Sequence, residues 1–324
     1  MKVSFVIPMY NAGPFIEKCI RSCIAQGMDP KDYEIIVIND GSTDEGPAIV
    51  EDLMRECEPL HIRLRLYSQR NAGLAASRNK GISLAAGDRI WFVDADDSLK
   101  GNCLKSMLEE AGDSDLLAFG MTNLTLDGSV ESVFKYDMAG RMTGRDFLVK
   151  FNERLKLCVP LFLFKRTFLV DNDLRFEESV MHEDTEFTPR MVYRAGSIAV
   201  SEKVPYDRLI HPGSITQTVN PRRVHDLVTI LKRLKEFRDS EIEEETCKKA
   251  FNSLLSNVAN NAAKLSEQTG QADREAFKTA ISECSWLPSV LRGSMQWKYR
   301  LEGMLLTLFP GNYPGVHRFL LKFK

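Results

Sequence analysis

Apolar runs and amphipathic runs take turns along the first half of this chain. Val3–Ile7 is nearly unbroken apolar sequence, and so is Glu34-Ile35-Ile36-Val37-Ile38-Asn39; such runs mark strands buried on both faces of a parallel sheet. Between them Phe15, Ile16, Cys19, Ile20, Cys23 and Ile24 recur at helical spacing, with Gly27 as a stop. Ile62, Leu64 and Leu66 alternate with Arg63 and Arg65, which predicts a strand with one face less buried. Ala72–Ala86 reads as a helix ending at Gly87, the run from Arg89 as a strand, the stretch from about Asn102 as a helix, and Leu116–Met121 as another strand. Strands alternating with helices in this way build an α/β fold with a mostly parallel central sheet flanked by helices.

Further on the pattern loosens. Asp127-Gly128 within Leu124–Val130 is a hairpin signal. Phe147–Leu155 predicts a helix, and Cys158–Phe164 is apolar but interrupted by Pro160. Glu183–Ala195 reads as a helix despite Pro189, followed by short strands around Ile198 and Leu209. From about Pro221 the pattern is helical, with long amphipathic stretches at Val224–Phe237 and Glu243–Leu265. The expectation is a domain over 1–220, in halves of about 1–100 and 101–220, and a helical C-terminal region over 221–324.

The run Arg89-Ile90-Trp91-Phe92-Val93-Asp94-Ala95-Asp96-Asp97 carries the strongest chemistry. Crowded carboxylates raise one another's pKa unless a cation neutralises them. Hard oxygen ligands point to Mg²⁺ or Mn²⁺ shared with substrate phosphates. Positions i and i+2 of a strand share a face, so Asp94 and Asp96 are expected to look into one cleft. Asp97 is expected to cap a following helix.

Three more loops carry polar side chains at strand or helix ends, where doubly wound sheets bind ligands. They are Pro8-Met9-Tyr10-Asn11-Ala12-Gly13, Asn39-Asp40-Gly41-Ser42-Thr43-Asp44, and 69–79 with Asn71, Gly73 and Arg78. Tyr10 offers a stacking face to a base, and Asp40 an acceptor for a base N–H. Each alone is weak, since Asn-Asp-Gly-Ser is above all a turn sequence. In order, and ending in paired carboxylates, they are specific.

Composition narrows the class. The 324 residues supply one large domain plus an appendage. A formal charge of −2 gives no reason to expect nucleic-acid binding. Seven cysteines, at 19, 23, 57, 103, 158, 247 and 284, form no CxxC pair and no zinc spacing, which fits a reducing cytosol. The first apolar stretch is too short for a signal peptide and no run approaches the length of a bilayer span, so the expectation is cytoplasmic. From Arg292 onward Trp297, Tyr299, Leu305, Leu306, Leu308, Phe309, Phe319, Leu320, Leu321 and Phe323 mix with Lys298, Arg300, Arg318, Lys322 and Lys324, and only Glu302 is acidic. Such a tail either lies on an anionic membrane surface or packs back on the protein.

The stretches VSFVIPMYNAG, YEIIVINDGSTDEG, NAGLAASRNKGISLAAGD, WFVDADD and HEDTEF, in this order, resemble a family 2 glycosyltransferase of the inverting, GT-A-fold type, as found in bacterial surface-polysaccharide synthesis. The resemblance runs to about Pro212–Thr216, and one departure is Asn39, where many members carry a second aspartate. It implies that Pro8, Tyr10, Asn11 and Asp40 hold the nucleoside of a nucleotide-sugar, commonly UDP, and that Asn71, Gly73 and Arg78 lie near it. Arg78 as a structural ion pair stays equally open. It further implies Asp96 as metal ligand, Asp94 as ribose-side partner or second ligand, and His211 over the diphosphate or metal. Of the pair Glu183-Asp184, Asp184 would be the base that activates a saccharide or lipid-linked saccharide acceptor; without the other motifs the pair reads as acids at a helix N-terminus. His182 would line the acceptor pocket. A haloacid-dehalogenase-type phosphohydrolase also uses D-x-D, but on an early strand and with Thr or Val where this chain has Ser98. A non-catalytic nucleotide-sugar-binding protein is the other rival, against which Asp94, Asp96 and Asp184 all stand intact.

Overall fold

A computed structural model describes residues 1–214, 220–309 and 313–321. Ile215, Thr216, Lys322, Phe323 and Lys324, and the side chains of Phe319 and Leu321, lie outside the described residues. The chain begins β1 (Val3–Met9), α1 (Gly13–Ile24), β2 (Tyr33–Asn39), α2 (Gly46–Cys57), β3 (Arg63–Ser68), α3 (Leu74–Leu84) and β4 (Arg89–Phe92). It continues through β5 (Ser98–Leu99), α4 (Leu104–Ala111), β6 (Leu116–Ala118), β7 (Met121–Leu124), β8 (Val130–Phe134), β9 (Gly140–Met142), α5 (Gly144–Lys150), β10 (Phe162–Lys165) and α6 (Arg166–Asp171). Then come α7 (Glu183–Arg194), β11 (Ile198–Val200), β12 (Tyr206–Leu209), α8 (Pro221–Glu241), α9 (Glu245–Ser266), α10 (Gln271–Ser282), α11 (Leu287–Arg292), α12 (Trp297–Leu308) and α13 (Tyr313–Leu321).

Two compact units result. One comprises Met1–Gly144, Cys158–Glu178 and Arg194–Thr216; the other Arg145–Leu157, Ser179–Tyr193 and Gln217–Lys324. A single cut at 220 is therefore corrected: α5 and α7 belong with the C-terminal helices. Their packing gives the reason. Tyr193 of α7 meets Phe237 of α8 edge-on at 5.9 Å and donates from its hydroxyl to the Glu241 carbonyl at 3.0 Å. Asn152, just past α5, donates to the Ala250 carbonyl of α9 at 2.7 Å. An amphipathic helix goes where its apolar stripe finds a partner, whatever its place in the chain.

In the first unit the larger sheet runs β3-β2-β1-β4-β10-β6-β11-β9 and the smaller β5-β12-β7-β8. The pairs β3/β2, β2/β1, β1/β4 and β6/β11 are parallel. β10 runs antiparallel between β4 and β6, so the apolar segment after Pro160 is a central strand. Leu116–Met121, expected as one strand, is two: β6 lies in the larger sheet and β7 in the smaller. Gly120 lies at that passage, where a Cβ would collide with the Phe134 carbonyl. Asp127-Gly128 forms the expected turn between β7 and β8, Gly128 having φ +82°.

Every residue of β1 and of β2 is buried, as their apolar runs require. One charge is buried among them. Glu34, 1% exposed, accepts from Ser4 Oγ at 2.6 Å and Ala86 N at 2.8 Å, and pairs with Arg65. Ser4 Oγ accepts in turn from Gly87 N at 2.9 Å. This network seats the end of α3 against β1 so closely that a Cβ on Gly87 would meet Ser4 N and Val3 C at 2.6 Å. Gly87→Ala is therefore expected to lower stability by about 1–3 kcal/mol through overpacking against backbone that cannot yield, read as a lower urea midpoint at unchanged slope.

Candidate active site

The loops after β1 and β2 lie side by side because Asp40 N donates to the Met9 carbonyl at 2.8 Å. Asn11 takes φ +50° and joins them again: its N donates to Ser42 Oγ at 3.0 Å, and its Oδ1 accepts from Thr43 N at 2.8 Å. Asn39 accepts from Ser42 N at 2.9 Å and donates to Ser68 Oγ at 3.1 Å. A carboxylate could accept but not donate, so the amide suits this position. Asp44 accepts from Gly13 N at 2.7 Å and Gly46 N at 3.1 Å, capping α1 and α2 with one carboxylate.

Asp40 is more committed than its sequence role suggested. Its carboxylate, 4% exposed, accepts from Gln69 Nε2 and Ala72 N at 2.8 Å and from Gly73 N at 2.7 Å. It thereby fixes the segment entering α3, where Gly73 takes φ +94°. Gly41, at φ +76°, lets this turn approach Asn71, whose N would lie 2.9 Å from a Cβ. Tyr10, at 55% exposure, and Asn71 stand open to solvent, whereas Pro8 is buried in β1, beyond the Val3–Val6 stretch that pairs with β4.

The acidic run departs from its expected geometry. β4 ends at Phe92, and Asp97 N donates to the Asp94 carbonyl at 3.0 Å, so the aspartates sit on a turn and not on one strand face. Arg78, 1% exposed, donates to Asp94 Oδ1 at 2.9 Å and lies over the Phe176 ring at 5.4 Å. Of the two readings open for Arg78, the structure contains the ion pair. Asp96 meets His211 at 2.9 Å, and that imidazole leans on Phe15, ring centres 4.7 Å apart. Asp97 is not a helix cap. It is 5% exposed and accepts from the Tyr206 hydroxyl at 2.6 Å and Leu209 N at 2.8 Å. The chain enters β5 directly after it, and α4 starts only at Leu104.

Burial, then the charges of Asp96 and Asp94, pushes Asp97 well above the usual carboxylate range. Burial and Asp94 likewise raise Asp96, against the lowering effect of His211. The turn is thus short of positive charge, as a cation site would be. Asp94 and Asp96 keep about a third of their side chains exposed, at 33% and 31%. Among the described residues no three His, Cys, Asp or Glu side chains are gathered as a metal-binding group. Asp96 and His211 fit a divalent cation that takes its remaining ligands from phosphate oxygens and water.

In the helical unit, Glu183 and Asp184 open α7, Glu183 buried and Asp184 half-buried. His182 accepts from Arg223 Nε at 3.2 Å. Burial first, and the Arg223 charge second, bring its pKa down to about 4. Glu186, 2% exposed, is held by Arg190 at 2.5 Å and Arg233 at 3.8 Å.

Sequence reasoning overlooked Tyr206, Gln69 and Asp44. Tyr206 lies 109 positions from the carboxylate it binds, and nothing local marks it. Asp44 carried a signal, an acid two positions before the glycine that starts a helix.

These features define an α/β transferase fold of the GT-A type. Residues 4–169 match the family model for glycosyl transferase family 2, half of the chain, and the protein belongs to that family. An uncharacterized glycosyltransferase, YibD of Escherichia coli (strain K12), is 29% identical over 226 residues, 67% of this chain and 63% of that protein. The chain therefore matches less than two thirds of that relative's length. The poly(ribitol-phosphate) beta-N-acetylglucosaminyltransferase TarS of Staphylococcus aureus (strain MW2) is 27% identical over 75% of this chain and 42% of that protein. The crystal structure of S. aureus TarS 1–349 with UDP-GlcNAc shares the fold, with TM-score 0.80 and 22% identity over 100% of this chain and 93% of that one. The mannosyltransferase PcManGT from Pyrobaculum calidifontis, with GDP-Man and Mn²⁺, gives TM-score 0.54 and 18% identity over 98% and 86%.

Two outcomes follow from the geometry. Asp40→Asn sets an amide N–H against one of three donors, so it is expected to cost about 1–3 kcal/mol and to speed proteolysis within 69–73. His182 is neutral in the fold, and its pKa is lowered from 6.5 to about 4. The unfolded chain therefore binds the extra proton between those values, and stability falls as pH drops through that window. At about pH 5 the loss is about 2 kcal/mol; denaturation at that pH and at neutrality should show it, and His182→Gln should abolish the difference.

Proposed function

We propose that this protein is a metal-dependent inverting glycosyltransferase that moves a hexosyl or N-acetylhexosaminyl group from a UDP-sugar to a saccharide or lipid-linked saccharide in surface-polysaccharide synthesis. The observation that carries the reading is the acidic turn Asp94–Asp97 in the same unit as the coupled Tyr10–Asn11 and Asp40–Gly73 loops. Tyr10 stacks on the base, while Asp40 uses the acceptor capacity left on its carboxylate or acts through the 69–73 segment that it shapes. Asn71 and Gly73 line the same segment, and Asp94, oriented by Arg78, faces the ribose.

Asp96, with His211 beside it, would hold Mn²⁺ or Mg²⁺, and the imidazole favours Mn²⁺. Such a cation would supply Lewis-acid stabilisation of the departing nucleoside diphosphate. Asp184 takes the proton from the acceptor hydroxyl as that oxygen attacks the anomeric carbon, and Glu183 supports it at the start of α7. The lipid-linked acceptor would put the protein at the inner face of the cell membrane.

A thermal-shift screen of UDP-, GDP- and TDP-sugars with and without Mn²⁺ tests the donor. A UDP-sugar should give the largest shift, with Mn²⁺ enlarging it in the native chain and not in Asp96→Asn. No shift with any nucleotide-sugar would sink the reading. Asp184→Asn should keep donor binding and lose transfer by roughly 10²–10⁴; full turnover by that variant would remove the base assignment.

A further inference from the structure

Helix α12 has two unlike faces. Tyr299, Glu302, Gly303 and Leu306 are buried. Gly303 lets α12 sit directly on α11, since a Cβ there would lie 2.7 Å from Arg292 N and Pro288 O. The helix's one acid, Glu302, is 2% exposed and engaged by His317 Nδ1 at 3.0 Å and Asn260 Nδ2 at 3.2 Å.

The opposite face is apolar and open. Trp297, Leu301, Met304 and Leu308 are 71%, 39%, 55% and 71% exposed. At about 100° per residue their spacing aligns them in one stripe over three turns. Met295 and Phe309, 39% and 57% exposed, lie just outside the helix, before its start and at its C-cap. Isolated surface hydrophobes are ordinary, but a continuous stripe marks an interaction surface. Lys298 and Arg300 are exposed and fall on opposite flanks of the stripe. Arg292 donates to Thr307 on the Arg300 side. No acidic side chain of α12 is exposed.

We propose that this stripe is a membrane-docking surface, lying in the interface of an anionic lipid bilayer with Trp297, Met304 and Leu308 in the acyl boundary and Lys298 and Arg300 at headgroup phosphates. Charge selects this occupant. A second copy docking stripe to stripe would bring two basic rims together with no exposed acid of α12 between them, whereas anionic headgroups neutralise both. An amphipathic helix of this kind lies in the interface plane rather than across the bilayer, and no helix among the described residues is long and apolar enough to cross a membrane. The inference rests on the proposed function only in taking the acceptor to be lipid-linked.

The test uses the full chain with vesicles of phosphatidylcholine alone and of phosphatidylcholine mixed with phosphatidylglycerol. Co-sedimentation should appear on the anionic vesicles and fall with added salt. Trp297→Ser with Leu308→Ser should lower partitioning about tenfold or more, and Lys298→Gln with Arg300→Gln about tenfold. Donor-induced thermal shifts should be unchanged in both pairs. No binding by the native chain, equal binding to neutral vesicles, or an oligomer that the Trp297–Leu308 pair dissociates would each overturn the inference. Donor binding is read separately: vesicle binding without any donor shift would count against the proposed function alone.

Discussion

The carboxylate of Asp97 accepts from the Tyr206 hydroxyl and from the Leu209 amide, and through these two bonds the acidic turn is held to β12. Tyr206 also accepts from Asp94 N at 3.2 Å, so one buried phenol grips both ends of the turn. The turn joins β4 of the larger sheet to β5 of the smaller, and β12 pairs with β5. Two residues past β12 stands His211, against Asp96. The same link that seats the carboxylates therefore delivers the imidazole. Without it, three acids in four positions would repel one another on a loop free to spread.

Around that link the charges are sorted by burial. Arg78, which is nearly inaccessible, offsets Asp94; a guanidinium stays charged even there. Asp97 is covered and satisfied by donors, with its pKa raised. Asp96 is left with a neighbouring imidazole and an open side. Three chemically identical side chains thus take three roles because their surroundings differ: a partner of arginine, a structural acceptor and a candidate ligand. A comparable division operates in the loop at Asp40, whose carboxylate shapes backbone before it can touch any ligand.

Much of the first unit is legible in the pattern of residues. Fully buried parallel strands require continuous apolar runs, so β1 and β2 announce themselves, and Asp127-Gly128 names its own turn. Where the signal failed, the missing term was non-local. Nothing in 116–121 says that the chain changes sheets at Gly120, because the reason is the approach of the Phe134 carbonyl. Nor does the apparent boundary at 220 reveal that α5 and α7 pack with α8 and α9, since helical periodicity shows a face and not its partner.

The sequence by itself determined the alternation of strands and helices, the order of the polar loops and the concentration of acid at 94–97, because these depend on residue type and short-range spacing. Only the tertiary structure decided that Asp97 is a buried acceptor, that Arg78 is committed to Asp94, and that His211 stands within hydrogen-bond distance of Asp96. Those outcomes depend on which distant groups share a low-dielectric interior, where an unpaired polar atom costs more than a solvated one. Burial also split the aromatic-basic tail: it hid Glu302 and Tyr299 in the helical unit and left Trp297 and Leu308 outside.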